Sequence, residues 1–381
     1  MSNEKNILIA LNSFKGSLSS IQANRTLKMG MDQSNYFNRV DTFPLCDGGD
    51  GSIEVLQKHL KFPKIKVKTF DAIGKAIVGE YLWDPKHCIA YIELAIASGI
   101  ARLQSGQNNI LKANTRGTGI IIKHAVEKGA RKIILMVGGS ATNDAGIGIL
   151  AALGIRFLSK TGKILKPTPD QLLHICNFDT SNSTYPDDVK LEVWTDVNNP
   201  FDGPEGAVAI YSKQKGATKN DQIFLEKGMI RFRKLIVEKF NIDLNQIKGT
   251  GAAGGVGGGL IPLLNASIKH GTQEILKLTQ FSDVLKHYTV IITGEGSLDM
   301  QSAYGKLVQG VIQEAKCAAI PVIGLCGSNL LNPKQAKKIG FEAVFSLVPG
   351  PIPLSQAMME SRRYLKELGY NISGLIRAFT A

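Results

Sequence analysis

Several short segments combine carboxylates, cations and glycines at spacings that suit phosphate chemistry. Asn12-Ser13-Phe14-Lys15-Gly16-Ser17 follows an apolar strand and precedes an amphipathic helix. A lysine in that place either meets an anion or only keeps a surface soluble. Cys46-Asp47-Gly48-Gly49-Asp50-Gly51 sets two carboxylates among three glycines. Such carboxylates repel unless a cation or a shared proton lies between them. That points to Mg²⁺ coordination or general-base work, with an Asp-Gly turn as the plainer alternative. Lys132 to Gly154 runs from an apolar strand through Gly138-Gly139-Ser140-Ala141-Thr142-Asn143-Asp144 into a helical pattern with Ile147, Leu150 and Leu153 on one face. A strand, small-residue loop and helix start in this order offer backbone N–H groups to an anion. Ser140, Thr142 or Asn143 would cap the helix, and Asp144 suits a metal lying between it and a phosphate. A capped βα turn is again the plainer reading. Asp196-Val197-Asn198-Asn199-Pro200 closes another strand with a carboxylate suited to a metal or a hydroxyl.

Four further features add to this set. Asn114-Thr115-Arg116-Gly117-Thr118-Gly119 is a small-residue loop before a helix, with Arg116 as its cation. Gly249 to Gly259 holds seven glycines, Gly251, Gly254 and Gly255 among them. It satisfies G-x-G-x-x-G, yet no strand leads into it and no acidic residue follows at the required distance, so a dinucleotide fingerprint is set aside. A loop whose N–H groups line a phosphate, or a hinge, is the reading kept. Gly294-Glu295-Gly296-Ser297-Leu298-Asp299 follows a strand, and Lys306 opens the next helix. No Gly-Lys-Ser/Thr completes a Walker A loop, and Thr142 stands where a nucleophile elbow needs glycine.

These segments need elements to hold them. The 381 residues suggest two domains. With 44% hydrophobic and 20% charged residues the composition is that of an ordinary globular chain. The net charge of +13 would suit an anionic partner. The lysines are scattered, without an aromatic-interleaved stripe, so nucleic acid is not expected. Five cysteines without a C-x-x-C pair read as reduced thiols in a cytoplasmic protein. The six histidines form no metal motif. No signal peptide and no membrane span are expected. Strands at Ile7, Thr42, Ile291, Val322 and Phe345, with helices between them, make a doubly wound parallel sheet of flavodoxin-like order 2-1-3-4-5. Into it is inserted a mixed α/β domain. The expected division is 1–63 with 289–381, and 64–288. The insert begins with antiparallel strands at Lys64–Phe70, Val78–Trp83 and Cys88–Glu93, and a strand at Gly206–Ser212 and a helix from Asn220 to Phe240 follow later. The cleft between the domains is the expected active site.

Read in order, Ser13–Ser17, Cys46–Gly51, Gly138–Asp144, Asp196–Pro200, Gln214-Lys215-Gly216-Ala217, Gly251–Gly255 and Thr293–Gly296 resemble the blocks of the bacterial glycerate kinase family, the type that is neither P-loop nor ribokinase-like. The resemblance runs over essentially the whole chain. It implies a two-domain α/β kinase moving the γ-phosphoryl group of ATP to a hydroxyl of D-glycerate, giving 2- or 3-phosphoglycerate. Carried onto this sequence, the expectation puts nucleotide phosphates on Gly138, Gly139, Ser140, Thr142, Asn143, Gly251, Gly254 and Gly255, with Glu295. Mg²⁺ falls to Asp144 or Asp196. Lys15 and Arg116, with Ser13 and Asp50, hold the acceptor. Asp47 takes the hydroxyl proton, with Asp196 second, and Lys306 neutralises developing charge. A homodimer is compatible with this reading. Three positions depart from the family pattern: Asn12 for aspartate, Asp50 for glutamate, and Ser297 for arginine. They leave room for another small hydroxy acid. A non-catalytic metabolite-binding protein on the same scaffold is the rival reading.

Overall fold

The computed structural model describes residues 6–37, 39–104, 106–300 and 307–378. In chain order the strands are β1 (Asn6–Leu11), β2 (Arg39–Thr42), β3 (Lys64–Phe70), β4 (Ala76–Asp84), β5 (Ile89–Glu93), β6 (Lys132–Met136), β7 (Arg156–Leu158), β8 (Asn177–Asp179), β9 (Lys190–Thr195), β10 (Ser267–His270), β11 (Val290–Leu298), β12 (Val322–Asn329) and β13 (Ala343–Ser346). The chain forms two compact units, Met1–Asp47 with Thr272–Ala381, and Gly48–Gly271.

The first unit holds a parallel sheet in the order β13-β12-β11-β1-β2. Numbered within the unit this is 2-1-3-4-5, the expected order. Successive residues of β1 face opposite sides. Leu8 and Ala10 pack with Ile291 and Val311, while Ile7, Ile9 and Leu11 pack with Ala23, Leu27 and Leu365. Helices cover both faces, which is why β1 reads as an unbroken apolar run. The helix Ser20–Asp32 begins with a reciprocal cap between Ser19 and Gln22. β11, expected to end at Thr293, continues to Leu298, so Glu295 and Ser297 lie on a strand opposite Cys326 and Ser328.

The second unit is a mixed sheet, β10-β9-β6-β5-β4-β3. β5, β6, β9 and β10 are parallel, and β4 and β3 add the expected antiparallel edge. Its boundaries differ from the expected ones. The helix Ser52–Leu60 belongs here because Glu93, at the end of β5, accepts from the Gly51 and Ile53 amides. Residues 272–288 belong to the first unit because Leu276, Phe281 and Leu285 join its core. Gly206–Ser212, expected as a strand, contains the helix Ala207–Tyr211. Its burial runs in pairs, Ala207 and Val208 inside, Ala209 and Ile210 outside. That is a helical rhythm and not an alternation.

The glycine-rich segment is also corrected. Ala252–Gly259 is helical, with a left-handed turn at Ala253, Gly254 and Gly255. A Cβ on Gly254 would collide with the Thr142 carbonyl, and one on Gly259 with the Ala145 carbonyl. The glycines let this segment press on the loop after β6. Gly259→Ala should therefore cost at least about 3 kcal/mol of stability through overpacking. Gly374→Ala, in a helix with open space around it, should stabilise by roughly 0.5–1 kcal/mol. Urea unfolding of both variants checks this; equal effects would contradict it. Among the described residues, no helix is long and apolar enough to cross a membrane.

Candidate active site

In the first unit the chain passes from β1 to β2 on one side and returns to β11 on the other side of β1. Ligands of such sheets bind at the carboxyl ends beside this reversal. Ser13 and Lys15 follow β1, Asp47 follows β2, and Glu295 and Asp299 stand at the end of β11. Lys15 is exposed and places Nζ 3.8 Å from Asp47 Oδ2. An exposed pair of this kind adds little stability. Its importance is that a cation and a carboxylate reach the same space. Asn12 is buried, and its Oδ1 accepts from the Ser13 amide at 2.8 Å. Ser297 is exposed. Lys306 lies outside the described residues.

In the second unit the register sets Glu93 level with Met136, and Met136 level with Trp194. The loops after these parallel strands therefore leave from one edge of the sheet. Gly138 donates its amide to the Gly48 carbonyl at 3.0 Å, and a Cβ on Gly138 would collide with Gly49 Cα. At Gly139, φ is 72°, and a Cβ would lie 2.7 Å from Asp50 Oδ2. These two glycines admit the Gly48–Asp50 segment, a use different from the expected contact with phosphate. Glu93, which the sequence reading left without a role, fixes the same segment. Its two oxygens accept from the Gly51 amide at 3.0 Å and the Ile53 amide at 2.9 Å. Burial pushes its carboxyl up to about 7, against those two bonds.

A carboxyl raised on folding adds stability below its unfolded value and loses it as pH rises through the folded one. For Glu93 that window runs from 4.5 to about 7. Glu93→Gln removes one of two acceptors, costing about 1–3 kcal/mol. The cost should be larger at pH 5 than at pH 8, read from urea midpoints. A cost independent of pH would contradict the assignment.

Asp144 is fully buried. Its Oδ2 accepts from the Thr115 amide and hydroxyl, both at 2.8 Å, and from the Gly148 amide at 3.2 Å. Its Oδ1 accepts from the Gly146 amide at 3.1 Å. The helix Ile147–Ala152 starts after Gly146, so Asp144 ties down its first turn and the expected caps at Ser140, Thr142 and Asn143 do not form. A carboxylate already saturated by four donors does not fit Mg²⁺. Asp196 fits better. It stands at the end of β9 and contacts His270 Nδ1 at 3.0 Å, which raises the imidazole pKa. Among the described residues no group of three or more metal-type ligands occurs, and Mg²⁺ bound with phosphates needs only one or two carboxylates.

The loop after β6 is partly tied down by its own amides. Ala141 donates to Ser98, Thr142 to Ser140 Oγ, and Ala145 to Gly254. It also holds unspent polar capacity in side chains. Thr142 Oγ1 and both polar atoms of Asn143 are buried without a hydrogen-bond partner. Arg116 is exposed and opens the helix Arg116–Glu127, whose Gly117 and Gly119 serve close packing and not an anion loop.

The pattern described as "Glycerate kinase family" matches residues 7–377. The chain belongs to the glycerate kinase family. It is 35% identical to a glycerate kinase of Halalkalibacterium halodurans over 96% of this chain and 97% of the other. It is 31% identical to a glycerate 2-kinase of Escherichia coli over 92% of both. The crystal structure assigned as glycerate kinase 2 of Salmonella typhimurium superposes with a TM-score of 0.80 at 31% identity, covering 98% of this chain and 99% of that one. As a member of the glycerate kinase family, the chain is a kinase. The blocks that carried the resemblance follow strands: Ser13–Ser17 after β1, Cys46–Gly51 after β2, Gly138–Asp144 after β6 and Asp196–Pro200 after β9. The family departure at Asp50 keeps its carboxylate beside Gly139 despite the shorter side chain.

Proposed function

We propose that the chain transfers the γ-phosphoryl group of ATP to a hydroxyl of D-glycerate, giving 2- or 3-phosphoglycerate. The observation that carries this reading is the Lys15–Asp47 pair at the carboxyl ends of adjacent strands. Phosphoryl transfer needs a positioned hydroxyl and cations on the phosphates, and little covalent chemistry from the protein. Lys15, helped by Ser13, holds the acceptor's carboxylate. Asp47 orients the hydroxyl and takes its proton. Ser140, Thr142 and Asn143 face the nucleotide phosphates. Mg²⁺ carried with the nucleotide would neutralise phosphate charge, and Asp196 is the carboxylate assigned to hold it. Five unpaired thiols support a reducing compartment, the cytoplasm.

ATP consumption measured over a panel of small hydroxy acids, with and without Mg²⁺, tests the reading. D-glycerate should stimulate consumption, and only with Mg²⁺ present. Stimulation by a different acid alone would move the substrate assignment. Stimulation by none would favour a non-catalytic metabolite-binding role.

A further inference from the structure

Lys215 stands in the turn between the helices Ala207–Tyr211 and Lys219–Phe240, within the Gln214–Ala217 block that carries part of the family resemblance. The fold sinks it to 3% exposure. Its Nζ donates to Ser140 Oγ at 2.9 Å and to the Thr142 carbonyl at 2.7 Å. An ammonium has three N–H donors, and those two bonds direct two of them at the loop after β6. Asn108 ties the Lys215 backbone to the same loop: its Nδ2 donates to the Lys215 carbonyl at 2.6 Å and to the Ala141 carbonyl at 3.3 Å. Among the residues bonded to Lys215 and their neighbour Asn143, the atoms Thr142 Oγ1, Asn143 Nδ2, Asn143 Oδ1 and Asn108 Oδ1 are buried and without a hydrogen-bond partner. Thr142 and Asn143 are fully enclosed. Buried polar atoms are nearly always paired, so such a cluster marks a missing partner.

We infer that Lys215 is the phosphate-binding cation of the Ser140–Asn143 loop, with Thr142 Oγ1 and Asn143 Nδ2 as its companion donors to the nucleotide. Phosphate oxygens accept hydrogen bonds and attract a buried ammonium more strongly than water does. The Asp144 carboxylate is the charged group facing Lys215, and its charge is already shared by four other donors. Burial lowers the Lys215 amine to about 7, so an anion at this place also holds the amine in its charged form. The inference rests on the kinase reading and gives its nucleotide side a cation.

Direct equilibrium binding of MgATP by calorimetry tests it without needing turnover. Lys215→Met should weaken binding about tenfold or more, the size of a lost charged hydrogen bond. Thr142→Val is the second variant, chosen because it removes only an unpartnered hydroxyl. It should keep or raise the unfolding midpoint while weakening MgATP about fivefold or more. Unchanged MgATP affinity in Thr142→Val, as expected if an interior water alone fills the cluster, would overturn the inference, as would a parent chain that does not bind MgATP. A parent that binds MgATP normally but phosphorylates no glycerate would sink the substrate assignment and leave Lys215 to be judged by its variants.

Discussion

Asp47→Asn is expected to lower turnover with the acceptor by about 10²–10⁴-fold, the usual scale of a lost general base. Asparagine keeps the size of the side chain and an accepting oxygen, so the Lys15 contact at 3.8 Å and the bend at Gly48 remain available. What it lacks is a place for the hydroxyl proton. The loss should therefore fall on kcat, with KM for the acceptor within about threefold, because an interaction made only in the transition state is removed. Steady-state kinetics with the acceptor varied reads both constants. Near-parent turnover would show that another group accepts the proton, Asp196 being the next candidate.

Lys15→Met should act on the other kinetic constant. The side chain is 76% exposed, so its loss should leave the unfolding midpoint in place. Its proposed partner is the acceptor's carboxylate, and a hydrogen bond to a charged group contributes about 1.5–3 kcal/mol. KM for the acceptor should rise by roughly 10- to 150-fold, while KM for ATP stays within about threefold. The separation distinguishes acceptor binding from a general loss of fold or charge. A rise confined to the ATP constant would move Lys15 to the nucleotide side. Lys15→Arg, which keeps the charge but changes its shape, should fall between the two.

The strand order of the first unit was legible because each βα repeat announces itself locally. β1 is a short apolar run, and Ser19 with Gln22 marks the helix that follows. Parallel sheets covered on both faces admit few such orders. The antiparallel edge at β3 and β4 was legible from alternation. The helix Ala207–Tyr211 was not, since five small or mixed residues carry too little period to separate helix from strand. The Gly249–Gly259 segment misled for another reason. Glycine permits both a ligand's approach and a backbone's approach, and only the tertiary neighbours Thr142 and Ala145 decide between them. Asp144 was read as a metal ligand because its four donors come partly from Thr115, far away in sequence. On the same grounds Glu93 has no role in the sequence, and Lys215 enters only as part of the Gln214–Ala217 block. A glutamate closing a strand and a lysine in a polar turn look ordinary until burial removes their water. Buried charge is informative, but burial is a property of the fold and not of the local string.

The central claim is that this chain moves the γ-phosphoryl group of ATP to D-glycerate. The most direct measurement follows label from γ-³²P ATP, with Mg²⁺, into the acid fraction. The account predicts labelled phosphoglycerate formed in step with ADP, absent without D-glycerate. Label released only as inorganic phosphate, or retained in ATP at every glycerate concentration, would contradict it.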